Sequence, residues 1–418
     1  MTSVSLHAGR AGCALLLSIW GATAGADEGD GAVHLSGALR GHYFGSSRTL
    51  DDRADFFGTS LQLKGVARPT EQVSMKMEAR AIAPALGRSD PHSEAQLIEG
   101  YMSLNEGRWD WRLGKQIVAW GRADGINPTD VVSPRDATIL LPFDADQRSG
   151  LWGVVGSYAW TSETSLSVLW KTDFEASRMP VPLAQRSAYR FEQPPHPGAQ
   201  WGLRLNRTGG DVDWSVSLFR GRSLWPHAGP NQAADGATLR LTYPTVTMLG
   251  ADLATNFGDY GTRFEAAYTT PAHPVAPHEP GLRRNVYWVA GVDRTFFPRL
   301  NVNVQVFARH SWGLPTNLPP RYQWAGAFNA ATFMQQRPWV HGVTLRISNA
   351  WLHDTLDAEV FVQRFLPNDG TFVQPMVGYA FTDSVRGTLG AQLYTGSGPQ
   401  LGPLKANRGA FAELRYAF

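Results

Sequence analysis

Apolar and polar residues alternate one for one along most of the chain beyond about residue 32. Over 300–309, Leu300, Val302, Val304, Val306 and Ala308 alternate with Asn301, Asn303, Gln305 and Arg309. Over 73–81, Val73, Met75, Met77, Ala79 and Ala81 alternate with Ser74, Lys76, Glu78 and Arg80. Over 212–218, Val212, Trp214, Val216 and Leu218 alternate with Asp213, Ser215 and Ser217, and 356–363 and 385–393 behave alike. Successive side chains of a strand point to opposite faces, so each segment predicts a β-strand with one apolar and one polar face. Counting them gives about 18 strands, with 16 as the alternative, within the even-numbered range of bacterial barrels. The stretch 236–257, interrupted by Pro244, reads as one long strand.

Alternation alone fits both a soluble sandwich, apolar faces inward, and a transmembrane barrel, apolar faces toward lipid. Other features favour an all-β transmembrane antiparallel barrel. The polar faces carry Lys64, Lys76, Glu78, Arg80, Arg204, Arg240, Asp252, Arg263, Glu265, Arg346, Asp357, Glu359 and Arg386, charges that suit a water-filled lumen. From these faces we assign a pore wall of Lys76, Arg80, Arg204, Arg240, Glu265, Arg309, Arg346, Glu359 and Arg386. Short turns, such as 105–108, 161–164 and 382–384, trade places with long Pro/Gly-rich stretches near 121–148, 172–197, 222–235, 270–284, 313–337 and 397–406. That is the expected asymmetry of short periplasmic turns and long outer loops. The final segment sets Ala410, Ala412, Leu414, Tyr416 and Phe418 on one face, with Glu413 and Arg415 on the other. A terminal aromatic after alternating apolar residues resembles the signal, here Leu414, Tyr416 and Phe418, by which the barrel-insertion machinery recognises its clients. If Phe418 ends on the periplasmic side, counting back places the long connections outside.

The N-terminus adds a compartment. Residues 1–26 hold Arg10, an apolar core from Ala14 to Trp20 and two Ala-x-Ala patterns, Ala22-Thr23-Ala24 and Ala24-Gly25-Ala26, the order of a secretory signal peptide. Cleavage is expected after Ala26, leaving 27–418 as a single outer-membrane barrel domain. Cys13, the one cysteine, lies in the apolar core of that signal, so no lipoprotein anchor and no disulfide is expected. The first strand is expected near Ala32, which leaves no room for a plug domain. The 15 Trp, 12 Tyr and 20 Phe with 43 Gly and 27 Pro, at a mean hydropathy of −0.25, suit alternating strands and turns rather than spanning helices. Net charge is +2 and no basic stripe is present, which argues against a nucleic-acid partner. The expected partners are outer-membrane lipid, the insertion machinery and small solutes.

The densest chemistry falls after the fifth strand, in 114–153, on the third outer loop. Residues 121–148 hold Arg122, Asp124, Asp130, Arg135, Asp136, Asp144, Asp146 and Arg148, with Pro128 and Pro134 and an apolar stretch from Ile139 to Phe143. An apolar stretch gains nothing in solvent, so the loop is expected to fold inward against the wall and form the pore constriction. Arg122, Arg135 and Arg148 are expected to pair with the loop's aspartates. A calcium site is the competing reading, but the spacing matches no calcium motif.

The string VAWGRADGINPTD, followed by SPRD, resembles a proteobacterial outer-membrane family in which a GKQ…WGR strand end leads into an NPTD loop. The GKQ…WG portion is also similar to alginate-export barrels. The resemblance covers about 40 residues closely and implies an outer-membrane barrel acting as a channel or as the outer partner of an exporter.

The sequence offers no catalytic apparatus. It has no GxSxG elbow, no paired histidine spacing for zinc and no cofactor motif, and His92, His196, His227, His273 and His278 are scattered through Pro-rich loops. The reading is therefore not an enzyme but a porin-like channel for small polar or amphiphilic solutes. The alternatives are an exporter's outer partner for hydrophobic or lipid-like molecules and a non-conducting structural or adhesive barrel.

Overall fold

The alternating segments of the computed structural model each pair with their neighbour in sequence until the last meets the first. The structure describes residues 33–50, 53–83, 94–139, 144–179, 187–194, 196, 198–230, 238–366, 370–396, 401, 405 and 408–418. The strands are β1 (His34–Leu50), β2 (Arg53–Ala67), β3 (Val73–Ala83), β4 (Glu94–Glu106), β5 (Trp109–Gln116), β6 (Leu151–Ala159), β7 (Thr164–Lys171), β8 (Tyr189–Phe191), β9 (Gln200–Arg207), β10 (Val212–Arg222) and β11 (His227–Ala228). They continue as β12 (Leu239–Thr242), β13 (Thr245–Phe257), β14 (Tyr260–Pro271), β15 (Asn285–Phe296), β16 (Leu300–Ser311), β17 (Trp339–Trp351), β18 (Leu356–Leu366), β19 (Gly370–Ala380), β20 (Val385–Thr395) and β21 (Gly409–Ala417). Among the described residues two α-helices, α1 (Asp144–Gln147) and α2 (Gln323–Thr332), lie in connections between strands.

Eighteen of the strands form one antiparallel sheet; β8, β11 and β12 form a separate sheet of three. The large sheet closes where β21 pairs with β1, Leu414 opposite Gly41 and Tyr416 opposite Leu39, and Phe418 and Gly37 exchange backbone bonds of 2.8 and 3.0 Å. Closure leaves no strand edge, the condition for a β-structure to cross lipid. Among the described residues no helix is long and apolar enough to cross a membrane; the crossing is made by strands.

Register converts the alternation into two surfaces. Leu203, Leu218, Leu249, Tyr268 and Val286 lie side by side on β9, β10, β13, β14 and β15, and Leu249 is 52% exposed. Three residues along, Asn206, Ser215, Asp252, Glu265 and Val289 form a row inside, where Ser215, Asp252 and Glu265 are buried. Each outward residue meets hydrocarbon and each inward one meets the lumen or whatever fills it. The terminal strand obeys the same rule: Leu414 and Tyr416 face out, while Phe411 and Glu413 are buried inside.

The turns 68–72, 107–108, 160–163, 208–211, 258–259, 297–299, 352–355 and 381–384 share one end, and the long connections 117–150, 172–199, 223–244, 272–284 and 312–338 share the other. The signal-peptide region 1–26 lies outside the described residues. The expected single strand over 236–257 is two: Pro244, which has no N–H for a ladder, separates β12 from β13, and only β13 belongs to the wall. Arg240 therefore does not line the pore wall. It sits on β12 with its guanidinium in a two-point bond to Glu192 at 2.8 and 2.9 Å, which holds that carboxyl below its usual range.

At the outer end β8, β11, β12 and α2 bury Ala228, Leu239, Leu241 and Ala325 completely, with Tyr189 and Phe328 against them. His227 lies in this cap, its ring stacked at 4.2 Å on Phe333 and 3.2 Å from the Ser223 hydroxyl. Burial, with a smaller contribution from Arg309, pushes the His227 pKa down to about 3.

Candidate functional site

The chain leaves β5 at Gln116 and, instead of rising out of the barrel, turns across it. Trp120 makes the first contact, its ring edge-on to Phe219 at 6.2 Å within a buried group that includes Val132, Leu151, Leu169 and Met248. Gly121 then adopts φ +93°, a conformation that favours glycine, and a Cβ there would run into the Glu265 carboxylate. With no side chain in the way, backbone and carboxylate meet directly. Glu265 Oε2 accepts from the N–H groups of Arg122 and Ala123 at 3.1 and 3.2 Å, and Oε1 accepts from the N–H and hydroxyl of Thr129 at 2.7 and 2.8 Å.

The flanking charges extend this anchorage along the same inner row. Arg122 pairs with Asp252 and donates to Asn206 at 2.7 Å, while Ser215 and Arg204 also bond Asp252. Asp124 reaches further round the wall, accepting from Arg263 at 2.7 Å and from Asn303 at 2.9 Å. So 120–129 is seated on β9, β13, β14 and β16, between three and eight strands round the wall from its own strand β5. Arg122 thus pairs with the wall's Asp252, where the sequence reading expected a loop aspartate; charge alone does not say which of two acids a fold brings close.

The return half is braced differently. Asp130 accepts from both Arg135 and Arg148, at 2.8 and 2.9 Å, as the sequence reading expected for those two arginines. Ser133 Oγ accepts from the Val118 N–H and donates to the Val118 carbonyl, tying the outgoing and returning limbs. Asp136 caps a turn by accepting from the Thr138 N–H and hydroxyl and lies 3.6 Å from Arg178. Asp146 contacts the opposite side of the wall, at 2.6 Å from Arg40 and 3.5 Å from Arg80. Asp144 begins α1, and its side chain lies outside the described residues. Of the apolar stretch Ile139 to Phe143, Ile139 packs with Phe44 and Phe411 of the inner wall; 140–143 lies outside the described residues.

The remaining wall residues fall on the lumen face. Lys76 pairs with Glu99, Arg346 with Glu359 at 2.7 Å, and Arg386 with Asp357. Arg309 pairs with no acid among the described residues: it lies 5.5 Å from the Tyr287 ring and 5.9 Å from that of Phe333, and donates to Asn285 at 3.3 Å. Sequence reasoning missed Arg40, Gln62 and Glu99, although their alternation with apolar neighbours placed them inside, and it put Glu413 on the polar face without assigning it to the pore wall. Arg40, Arg415 and Arg386 stand side by side on β1, β21 and β20, and Arg415 is exposed. Among the described residues no group of three or more His, Cys, Asp or Glu side chains is placed to hold a metal ion.

With this geometry in hand, the chain can be set beside known proteins. A family model described as "Protein of unknown function (DUF1302)" matches residues 92–282, under half of the chain. No curated protein matches the sequence. Among solved structures, the chain is similar to OccD3 (OpdP) of Pseudomonas aeruginosa, at 10% identity and a TM-score of 0.57 over 94% of this chain and 92% of that one. It is also similar to OccAB1 of Acinetobacter baumannii, at 9% identity and a TM-score of 0.59 over 92% and 96% of the two chains. OpdK of Pseudomonas aeruginosa, solved with vanillate, gives 9% identity and a TM-score of 0.56 over 92% and 98%. Identities this low speak for the fold. The chain is a closed 18-stranded antiparallel barrel, similar in fold to these proteins.

Proposed function

We propose that this chain is an outer-membrane diffusion channel for small polar or amphiphilic solutes, narrowed by the loop 121–148. The observation that carries the reading is the seating of the loop on the row Asn206, Ser215, Asp252 and Glu265, inside the barrel. Arg122, Asp124, Asp130, Arg135, Asp136, Asp144, Asp146 and Arg148 form the constriction. Their mutual and wall pairing makes it rigid, so it acts as a fixed sieve. The wall alternates signs, with Lys76, Arg346 and Arg386 beside Glu99, Glu359 and Asp357, so ionic selectivity is weak. The arginine row on β1, β21 and β20, with Arg415 free of a carboxylate among the described residues, tips it toward anions. The outward Leu414, Tyr416 and Phe418 serve as the strand the insertion machinery reads.

Planar-bilayer recording tests the reading. The wild-type barrel passes an open-channel current with a reversal potential favouring anions. Deleting 124–146 raises the conductance, and Arg415→Glu moves the reversal potential toward cations. A deletion that leaves conductance and selectivity unchanged rules out the constriction, and a silent wild type rules out the channel.

A further inference from the structure

The lipid-facing wall carries one feature that the channel reading leaves unused. On the outer third of β15 to β18 the surface is recessed. Trp288, Ala308, His341 and Leu366 stand in one row, and Ala290, Val306, Val343 and Arg364 in the next row down. Ala308 is the floor: its methyl lies between Trp288 and His341, which stand higher, so it is only 5% exposed though it faces lipid. Trp339 walls the upper end, so Trp288, Val306, Ala308, Trp339, His341 and Leu366 line a groove that is almost wholly apolar.

The groove's rim is cationic. Arg364 is exposed on the lipid face beside Val343, within two residues of the end of β18. Above the groove His310 packs on Trp339 at 4.5 Å and on Trp312 at 4.7 Å, and the Arg284 guanidinium covers Trp312 at 5.6 Å. Neither Arg364 nor Arg284 has a carboxylate partner among the described residues, and the two rows contain no acid. An unpaired arginine facing hydrocarbon is unfavourable unless its head reaches an anion at the interface. A slot that accepts an alkyl chain, set beside an exposed cation near the outer end of the wall, is the combination that recognises an anionic lipid.

We propose that the groove beside Arg364 holds one acyl chain of an anionic lipid of the outer leaflet, with the lipid's phosphate held by Arg364 and His341. The site lies on the outside of the wall and stands whether or not the lumen conducts.

Native mass spectrometry of the detergent-solubilised barrel, titrated with purified lipid A or with dioleoylphosphatidylcholine, tests it. Wild type retains lipid A in preference to phosphatidylcholine. Arg364→Gln weakens lipid A retention about fivefold, the equivalent of one interfacial arginine, and leaves phosphatidylcholine unchanged. Ala308→Trp fills the slot and removes the preference while the barrel keeps its folded gel mobility; Val306→Phe is the second filling variant should the first fail to fold. Equal retention of the two lipids by wild type, lipid A affinity unchanged in Arg364→Gln, or a preference that survives filling of the slot would each overturn the assignment.

Discussion

The loop 117–150 and the cap built from β8, β11, β12 and α2 are both excursions from the outer end of one wall, yet they bury their chain by opposite means. The loop lies against the inner face, which is polar because the outer face must be apolar. Its anchors are accordingly a carboxylate taking four donors, an arginine on Asp252 and an aspartate on Arg263. The cap has no such surface to lean on and makes its own, a small core of Ala228, Leu239, Leu241 and Ala325. A segment inside a barrel can be held in place with few apolar residues of its own; a segment above it cannot.

The largest effect is expected from breaking the loop's anchor. Glu265→Ala leaves the N–H groups of Arg122, Ala123 and Thr129 without an acceptor, at about 1–3 kcal/mol for each buried donor left unsatisfied. The loop should leave the wall, seen as faster hydrogen exchange over 117–130 together with a raised single-channel conductance. Unchanged exchange would mean that Glu265 does not hold the loop.

Next comes the cap. Leu241→Ala is expected to weaken it by about 2–4 kcal/mol, with exchange rising across β11, β12 and α2 while conductance stays at the wild-type value. A change in conductance would mean that the cap also constrains the pore, and the contrast drawn above would fail.

Acid is expected to act on the cap as well, and gradually over several pH units. The folded His227 pKa of about 3 lies below the usual value of 6.5, so the unfolded cap binds a proton that the folded one refuses. The cap's stability is therefore full above pH 6.5 and declines as pH falls from there toward 3. Exchange over α2 measured against pH reports this, and His227→Phe should flatten the profile. The smallest effect is expected at the periplasmic end, where Arg207 and Glu163 pair at 3.0 Å with both side chains nearly half exposed. Arg207→Ala should alter thermal stability by about 0–1 kcal/mol and leave conductance unchanged.

How much of this was legible in sequence follows from what alternation encodes. The run 300–309 became β16, 73–81 became β3 and 212–218 became β10, because a strand with one wet and one lipid face must alternate. Alternation states that a segment is two-faced but not to which sheet it belongs. Leu239, Leu241 and Tyr243 alternate as regularly as any wall strand, and so hid the break at Pro244 and misplaced Arg240. That Ile139, set among charges, packs on the inner wall was readable, whereas the loop's partners were not. Arg122 and Asp252 are 130 positions apart, and nothing local to either distinguishes Asp252 from Asp124 or Asp130. The tryptophan, glycine and arginine of the WGR string each acquire a separate reason: a ring for the inner core, a turn that clears Glu265, and a cation for the row beside it.

The seat of that loop also dictates an order of assembly. Its holders arrive late in the chain: Asp252 on β13, Glu265 on β14 and Asn303 on β16 all follow the loop by more than a hundred residues. Until those strands have joined the sheet, Arg122, Ala123 and Thr129 lack the carboxylates they donate to, and closing so long a loop early carries an entropic penalty. The wall must therefore form as a wide ring first and be narrowed from within afterwards, so a barrel stalled before β14 joins would be the leakier species.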